Sequence, residues 1–70
     1  MNKNTATQKE WCDRVEELML SQYYLSPPDY DYDSENNIPS TSMQAFYNDG
    51  STPEEFVEWN ADKNDLTKAD

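Results

Sequence analysis

The sequence predicts a small all-α domain of three helices, with a long acidic loop between the first and second helix. Short segments that match a capping box come before runs of apolar residues at helical spacing. Two adjacent prolines follow the first run, and the single glycine follows the second. With 70 residues, residues 1–70 form one domain, and we expect frayed ends over about residues 1–5 and 65–70.

The first helix is predicted over about residues 7–24. Thr7 and Glu10 have the spacing of a capping box, in which each side chain satisfies a free backbone amide of the other residue. Apolar residues then recur at helical spacing, and Pro27-Pro28 is expected to end the helix because the residue before a proline is pushed out of helical geometry. Cys12 is the only cysteine, so no intrachain disulfide can form, and we interpret it as a small buried hydrophobe on this helix.

Two further helices are predicted over residues 41–49 and 53–63. The second helix begins at a capping box from Thr41 to Gln44 and ends at Gly50. The third begins at Thr52-Pro53-Glu54-Glu55, which has a capping threonine, a proline at the first helical position and a closing glutamate. The expected core consists of Trp11, Val15, Leu18, Met19, Leu25, Ile38, Met43, Phe46, Tyr47, Phe56, Val57 and Leu66.

The composition excludes several classes of function. Fifteen acidic residues stand against five basic ones, a formal net charge of −10, which disfavours direct binding to nucleic acid. No apolar run is long enough to span a bilayer and no secretory signal is recognisable, so we expect a cytoplasmic protein without membrane contact. There is no His, one Cys and one Gly, so we expect no enzyme activity, no metal site and no cofactor.

The segment Asp29-Tyr30-Asp31-Tyr32-Asp33 lies in the predicted loop over about residues 25–39 and alternates acidic and aromatic residues. If it is extended, the three aspartates face one side about 6.7 Å apart and the tyrosines face the other. Phosphates of one DNA strand advance about 3.4 Å each, so such a row would match every second phosphate. The segment does not match an EF-hand calcium loop, because Ser34 and Ser40 stand where an EF-hand needs Gly and Glu, and only loose calcium or magnesium binding by an acidic loop stays open.

A second acidic row is predicted on the third helix, where three carboxylates follow each other at four-residue spacing. Residues 25–70 carry nine of the ten net negative charges. Carboxylates in such rows can take the place of phosphates, while exposed aromatic rings add stacking and cation–π contacts. The candidate partner-binding residues are Asp29, Tyr30, Asp31, Tyr32, Asp33, Glu35, Glu54, Glu58, Trp59 and Asp62.

In size, charge and the Asp29–Glu35 segment, the chain resembles the small acidic inhibitors that bacteriophages and mobile elements make, such as anti-restriction and anti-CRISPR proteins. The resemblance implies a non-catalytic inhibitor in the host cytoplasm. Its partner would be a basic nucleic-acid-binding protein, such as a nuclease or a defence complex.

Two alternatives stay open. The chain could be an acidic interaction module, such as an adaptor, antitoxin or regulatory subunit, that docks through an apolar helix face around Phe46, Phe56 and Trp59. It could also be a partly disordered segment that folds on binding. The small core also leaves a homodimer open, because dimerisation would add buried apolar surface.

Overall fold

Three α-helices form the regular structure of the protein, for which a computed structural model describes residues 6–68. Helix α1 spans Gln8–Tyr23, α2 spans Thr41–Asn48 and α3 spans Pro53–Lys63. A 3-10 helix, Pro27–Tyr30, lies between α1 and α2. Within residues 6–68 there is no β-strand, only one isolated antiparallel bridge. The predicted all-α class is therefore confirmed, and so are the three predicted helices.

Capping boxes begin α1 and α3, as the sequence predicts. The Thr7 hydroxyl accepts a hydrogen bond from the Glu10 amide at 3.2 Å, and the Glu10 carboxylate accepts the Thr7 amide at 3.1 Å. The corresponding distances between Thr52 and Glu55 are 3.1 Å and 2.8 Å. Both boxes satisfy backbone amides that have no partner inside the helix.

The start of α2 differs from the sequence prediction by one residue. The capping side chain is Ser40, whose hydroxyl accepts the Met43 amide at 3.1 Å, and no capping box forms at Thr41. Ser40 has an extended backbone, with φ −64° and ψ 165°, whereas Thr41 is already the first helical residue. The sequence offers two adjacent hydroxyl residues, and only the outer one has the geometry of a cap.

Left-handed residues end the first two helices. Gly50 has φ 88° and donates its amide to the Tyr47 carbonyl at 3.2 Å, as predicted for the end of α2. Helix α1 ends differently from the expected proline stop. Tyr24 has φ 55°, and the Leu25 amide reaches back to the Met19 carbonyl at 3.1 Å. Pro27 instead begins the 3-10 helix, a position that suits its fixed φ.

The core lies mainly between α1 and α3, and α2 contacts both of these helices. Trp11 is 2% exposed, and its ring contacts Tyr47 and Phe56 at centroid distances of 5.7 and 6.0 Å. Its indole nitrogen donates to the Ser51 carbonyl at 2.8 Å. This hydrogen bond satisfies the buried N–H of Trp11 and ties the α2–α3 connection to α1.

Most of the expected core is confirmed, and the exceptions lie in the loops. Ile38 is 58% exposed, which contradicts its predicted burial, and Leu66 is half-buried. Cys12 is fully buried, as expected. Tyr30 and Tyr32, expected on the surface, belong to the core instead. The remaining partly buried members of the cluster are Tyr23, Leu25 and Phe46.

The Thr52→Ala substitution is expected to lower the free energy of unfolding by about 1 kcal/mol, because it removes the hydroxyl that caps α3. Thr41→Ala is a matched control, since Thr41 is exposed and does not cap α2. Urea denaturation followed by circular dichroism measures both. Equal midpoints for the two variants would contradict the capping role of Thr52.

Candidate partner-binding surface

The acidic loop is folded back on itself rather than extended. Its 3-10 helix is followed by Asp31 with φ 59°, and the bridge between Asp33 and Ile38 closes a turn over residues 34–37. Both backbone hydrogen bonds of this bridge are 2.9 Å long. The expectation of a straight row of three aspartates is therefore wrong, because a 3-10 helix and a left-handed residue do not place side chains on alternate faces.

The two loop tyrosines anchor the loop to the core. Tyr30 is 6% exposed and Tyr32 is 3% exposed, and their rings stack with centroids 6.4 Å apart. The Tyr32 hydroxyl donates to Asn37 Oδ1 at 2.9 Å. Neither ring is available to a partner in this structure, so the expected stacking role of Tyr30 and Tyr32 is not supported by their placement. Their burial restricts the backbone at Asp31, which lies between them, and at the flanking Asp29 and Asp33.

Burial also determines how this part of the core titrates. Desolvation raises the pKa of the Cys12 thiol to about 11, and the charge of Asp13 adds to the effect. Desolvation likewise raises the pKa of Tyr32 to about 12 and raises the pKa of Tyr30. All three groups are protonated at neutral pH, so Cys12 lacks the thiolate that a reactive cysteine needs.

Replacing the loop tyrosines one at a time is expected to change stability in opposite directions. The Tyr30 hydroxyl is buried and has no hydrogen-bond partner among residues 6–68, so Tyr30→Phe is expected to raise the free energy of unfolding by roughly 1 kcal/mol. Tyr32→Phe removes a hydrogen bond and leaves the Asn37 acceptor, so we expect a loss of roughly 1 kcal/mol. Urea denaturation of both variants measures the difference. Two losses of equal size would contradict the unpaired state of the Tyr30 hydroxyl.

The loop carboxylates differ in how firmly they are held. Asp29 accepts the Ser26 amide at 2.8 Å. Asp33 accepts the amide of Asn36 at 3.2 Å and its side-chain nitrogen at 2.9 Å, and these hydrogen bonds lower the pKa of the carboxyl. Asp31 and Glu35 are exposed and form no ion pair with a described residue. The loop therefore presents negative charge of which only the part on Asp29 and Asp33 is held by hydrogen bonds, and it does so without regular spacing.

Regular spacing is found on α3. Glu54, Glu58 and Asp62, called here the α3 row, are all exposed, and four residues of helix advance about 6 Å along its axis. Arg14 contacts Glu54 at 3.3 Å, an ion pair that joins α1 to α3. Glu58 and Asp62 form no ion pair with any residue in the described range. The helix thus holds this row of carboxylates on a rigid frame.

Trp59 lines two acidic depressions. One is a cleft of about 500 Å³ between the loop and α3, called here the loop cleft, which Asp29 and Asp31 line together with Trp59. The other is a shallower depression lined by Phe46, Glu55, Glu58, Trp59 and Asp62. The structure therefore brings candidate residues from the loop and from α3 next to one aromatic ring.

Two cleft residues were missed by the sequence reasoning. Asn60 and Lys63 both line the loop cleft, and the Lys63 ammonium lies 4.9 Å from the Trp59 ring centroid. The four-residue spacing of Trp59 and Lys63 on a predicted helix was a signal that could have found this contact. Trp59 is 37% exposed and also packs against Phe46, with centroids 5.0 Å apart.

The apolar docking face suggested by the alternative hypothesis is smaller than expected. Phe56 is 1% exposed and Phe46 is half-buried, so only Trp59 of the three expected residues is exposed. The more exposed large hydrophobic residues lie elsewhere, at Leu20, Tyr24 and Ile38. A docking face centred on Phe46 and Phe56 is therefore not present in this structure.

Residues 6–68 contain no group of three or more Cys, His, Asp or Glu side chains placed to hold a metal ion. In the same range, no helix has the length and apolar character needed to cross a membrane. Comparison of the chain with models of known protein families, with curated proteins and with solved structures finds no match.

Proposed function

We propose that this protein is a non-catalytic acidic inhibitor that occupies the basic nucleic-acid-binding site of a host defence or DNA-processing protein, as anti-restriction and anti-CRISPR inhibitors of bacteriophages do. The observation that carries the proposal is the α3 row, which holds three exposed carboxylates at regular spacing on a helix. The net charge of −10 supports it.

The spacing of the α3 row supports a phosphate-like role. Along the axis of α3 the row advances about 6 Å from one carboxylate to the next, close to the roughly 6.8 Å by which alternate phosphates of one DNA strand advance along the axis of the duplex. A guanidinium or ammonium group that pairs with a phosphate can pair with a carboxylate in the same place, since both are charge-assisted hydrogen bonds. In this proposal the α3 row, rather than the loop, supplies the periodic charge.

The remaining charge supports fast and salt-dependent capture. Few of the acidic side chains are neutralised by ion pairs within the protein. In the described range, Lys9 pairs with Asp13, and Arg14 pairs with Glu17 and Glu54. The unbalanced negative field would steer a basic partner toward the protein, an effect that salt screens.

Affinity capture from a bacterial lysate at low salt tests the proposal. We expect the immobilised protein to retain a basic nucleic-acid-binding protein, and we expect both duplex DNA or RNA and added salt to release it. A matched bait is the triple variant Glu54→Gln, Glu58→Gln, Asp62→Asn, which should retain much less. A partner that stays bound in high salt and in excess nucleic acid would contradict the proposal.

One observation favours the alternative of an apolar interaction module. Leu20 is 58% exposed and Tyr24 is 73% exposed, and they lie four residues apart at the end of α1. An apolar pair of this kind could dock on a partner while the charge serves solubility. Binding that resists salt and is lost in Leu20→Ser would support this function instead.

A further inference from the structure

Trp59 and Lys63 form the one cation–π contact found among the described residues, and both line the loop cleft. The Lys63 ammonium lies 4.9 Å from the ring centroid, within the range in which the negative face of an indole attracts a cation. Lys63 forms no salt bridge with any residue between 6 and 68. The ring therefore already holds a positive group in the cleft.

The cleft around this ring is suited to a cation that can contact the ring and the loop carboxylates at the same time. Asp29 and Asp31 line it from the loop side, and both carboxylates are exposed. Lys63 is the only Lys or Arg residue among the lining residues. A planar cation that stacked on Trp59 would have these carboxylates within the same cleft as hydrogen-bond acceptors.

We infer that the loop cleft is a receptor for an arginine side chain of a basic partner, and that Lys63 occupies the position that the guanidinium takes. Arginine fits better than lysine because its guanidinium is planar, stacks on aromatic rings and presents five donors to carboxylates. Trp59 supplies the stacking surface, while Asp29 and Asp31 supply the acceptors. Lys63 is exposed and forms no salt bridge with a residue between 6 and 68, so its side chain can move off the ring.

This inference rests on the proposed function only for the source of the arginine, namely a basic partner protein. The recognition itself depends on the cleft, and short peptides can test it without that partner. If the peptides showed that the cleft binds arginine, this result would hold even when the capture experiment found no partner that nucleic acid displaces. Conversely, if a captured partner bound without any preference for arginine, only the inferred arginine site in the loop cleft would be overturned, and the proposed function would stand.

The test compares blocked hexa-arginine and hexa-lysine peptides by titration calorimetry at low salt. We expect hexa-arginine to bind roughly 2–5-fold more tightly, the effect of stacking on a partly exposed ring. In nuclear magnetic resonance spectra the Trp59 indole N–H signal should shift on binding. The Trp11 indole N–H, which is buried and bonded to Ser51, should stay in place. Equal binding of the two peptides would overturn the inference.

Two lysine variants separate the cleft from general electrostatics. Lys63→Gln and Lys9→Gln both remove one positive charge, but Lys9 lies on α1 and pairs with Asp13. We expect Lys63→Gln to strengthen hexa-arginine binding at least 2-fold more than Lys9→Gln does. Equal effects of the two variants would show that Lys63 does not occupy the position of the guanidinium, and this result would overturn the inference. Both side chains are exposed, so neither variant is expected to disturb folding.

Discussion

Neutralising the α3 row is expected to weaken binding to a captured basic partner by roughly 100-fold or more. Glu54 already pairs with Arg14, so the expected loss is counted for Glu58 and Asp62 alone. Losing two charge-assisted hydrogen bonds, each about 1.5–3 kcal/mol when buried, has an effect of this size. The triple variant Glu54→Gln, Glu58→Gln, Asp62→Asn keeps the shape of the side chains and removes their charge. We expect it to stay helical, because removing like charges lowers repulsion and costs only the exposed contact with Arg14. Calorimetry at several salt concentrations measures the affinity and its salt dependence together.

Two further triple variants control for the loss of charge alone. Asp13→Asn, Glu16→Gln, Glu17→Gln removes the same number of charges from α1 and should weaken binding by less than 10-fold. Asp29→Asn, Asp31→Asn, Asp33→Asn removes the three loop aspartates, because their alternation with Tyr30 and Tyr32 in the sequence predicts that the loop is the main recognition element of a nucleic-acid mimic. If the α1 variant lost as much affinity as the α3 variant, net charge rather than the α3 row would determine binding. If the loop variant lost most, the loop would be the main element after all.

The protein is expected to lose stability steeply between about pH 9 and pH 12. Cys12, whose ordinary pKa is 9.0, has a pKa of about 11 in the folded protein, and Tyr32 is raised from 10.0 to about 12. Each difference corresponds to roughly 2–3 kcal/mol. A loss of this size is a substantial fraction of the free energy of unfolding of a small domain, about 5–15 kcal/mol. Urea denaturation at a series of pH values measures the loss.

The direction of the change in stability with pH depends on whether the folded or the unfolded chain keeps its protons to higher pH. Below pH 9 the thiol and the phenols are protonated in both the folded and the unfolded chain, so they give no pH dependence. Above pH 9 the unfolded chain releases these protons first, while burial holds them in the folded protein. Stability therefore falls as pH rises through this range. An unfolding free energy that stayed constant from pH 8 to pH 11 would contradict the burial of these groups.

Tyrosine variants connect this loss to particular residues. Tyr32→Phe removes one titrating group and should make the fall in stability with pH shallower, even though its stability at pH 8 is lower. Tyr30→Phe should also make it shallower, because the pKa of Tyr30 is raised by burial.

The helices were predictable because their signals are local. The boxes at Thr7 and Thr52 and the left-handed Gly50 depend on residues within one turn of the chain. The cap of α2 was displaced to Ser40 because two neighbouring hydroxyl residues carry nearly the same signal, and only backbone geometry distinguishes them. The left-handed Tyr24 carries no sequence signal, since glycine is the usual residue at such a position.

The loop was harder to predict because its conformation depends on contacts distant in sequence. Alternating Asp and Tyr residues suggest an extended strand. In the structure, however, Pro27 begins a 3-10 helix, and the tyrosines pack in the same core cluster as residues of α1. The same chemistry that favours Tyr at an interface also favours it in a core that is short of large apolar residues. The acidic row on α3 was predictable from spacing alone, whereas the meeting of Asp29, Asp31 and Trp59 in one cleft required the tertiary structure.

The buried tyrosines of the loop bear on the entropy of association. A flexible acidic loop would lose conformational freedom when a partner bound it, at roughly 1–2 kcal/mol for each residue fixed. Here Tyr30 and Tyr32 already restrict Asp29, Asp31 and Asp33 in the folded protein. That restriction is part of the free energy of folding and is not repeated on binding. The chain thereby presents its loop carboxylates as a preorganised surface, on which a basic partner would lose mainly its own freedom.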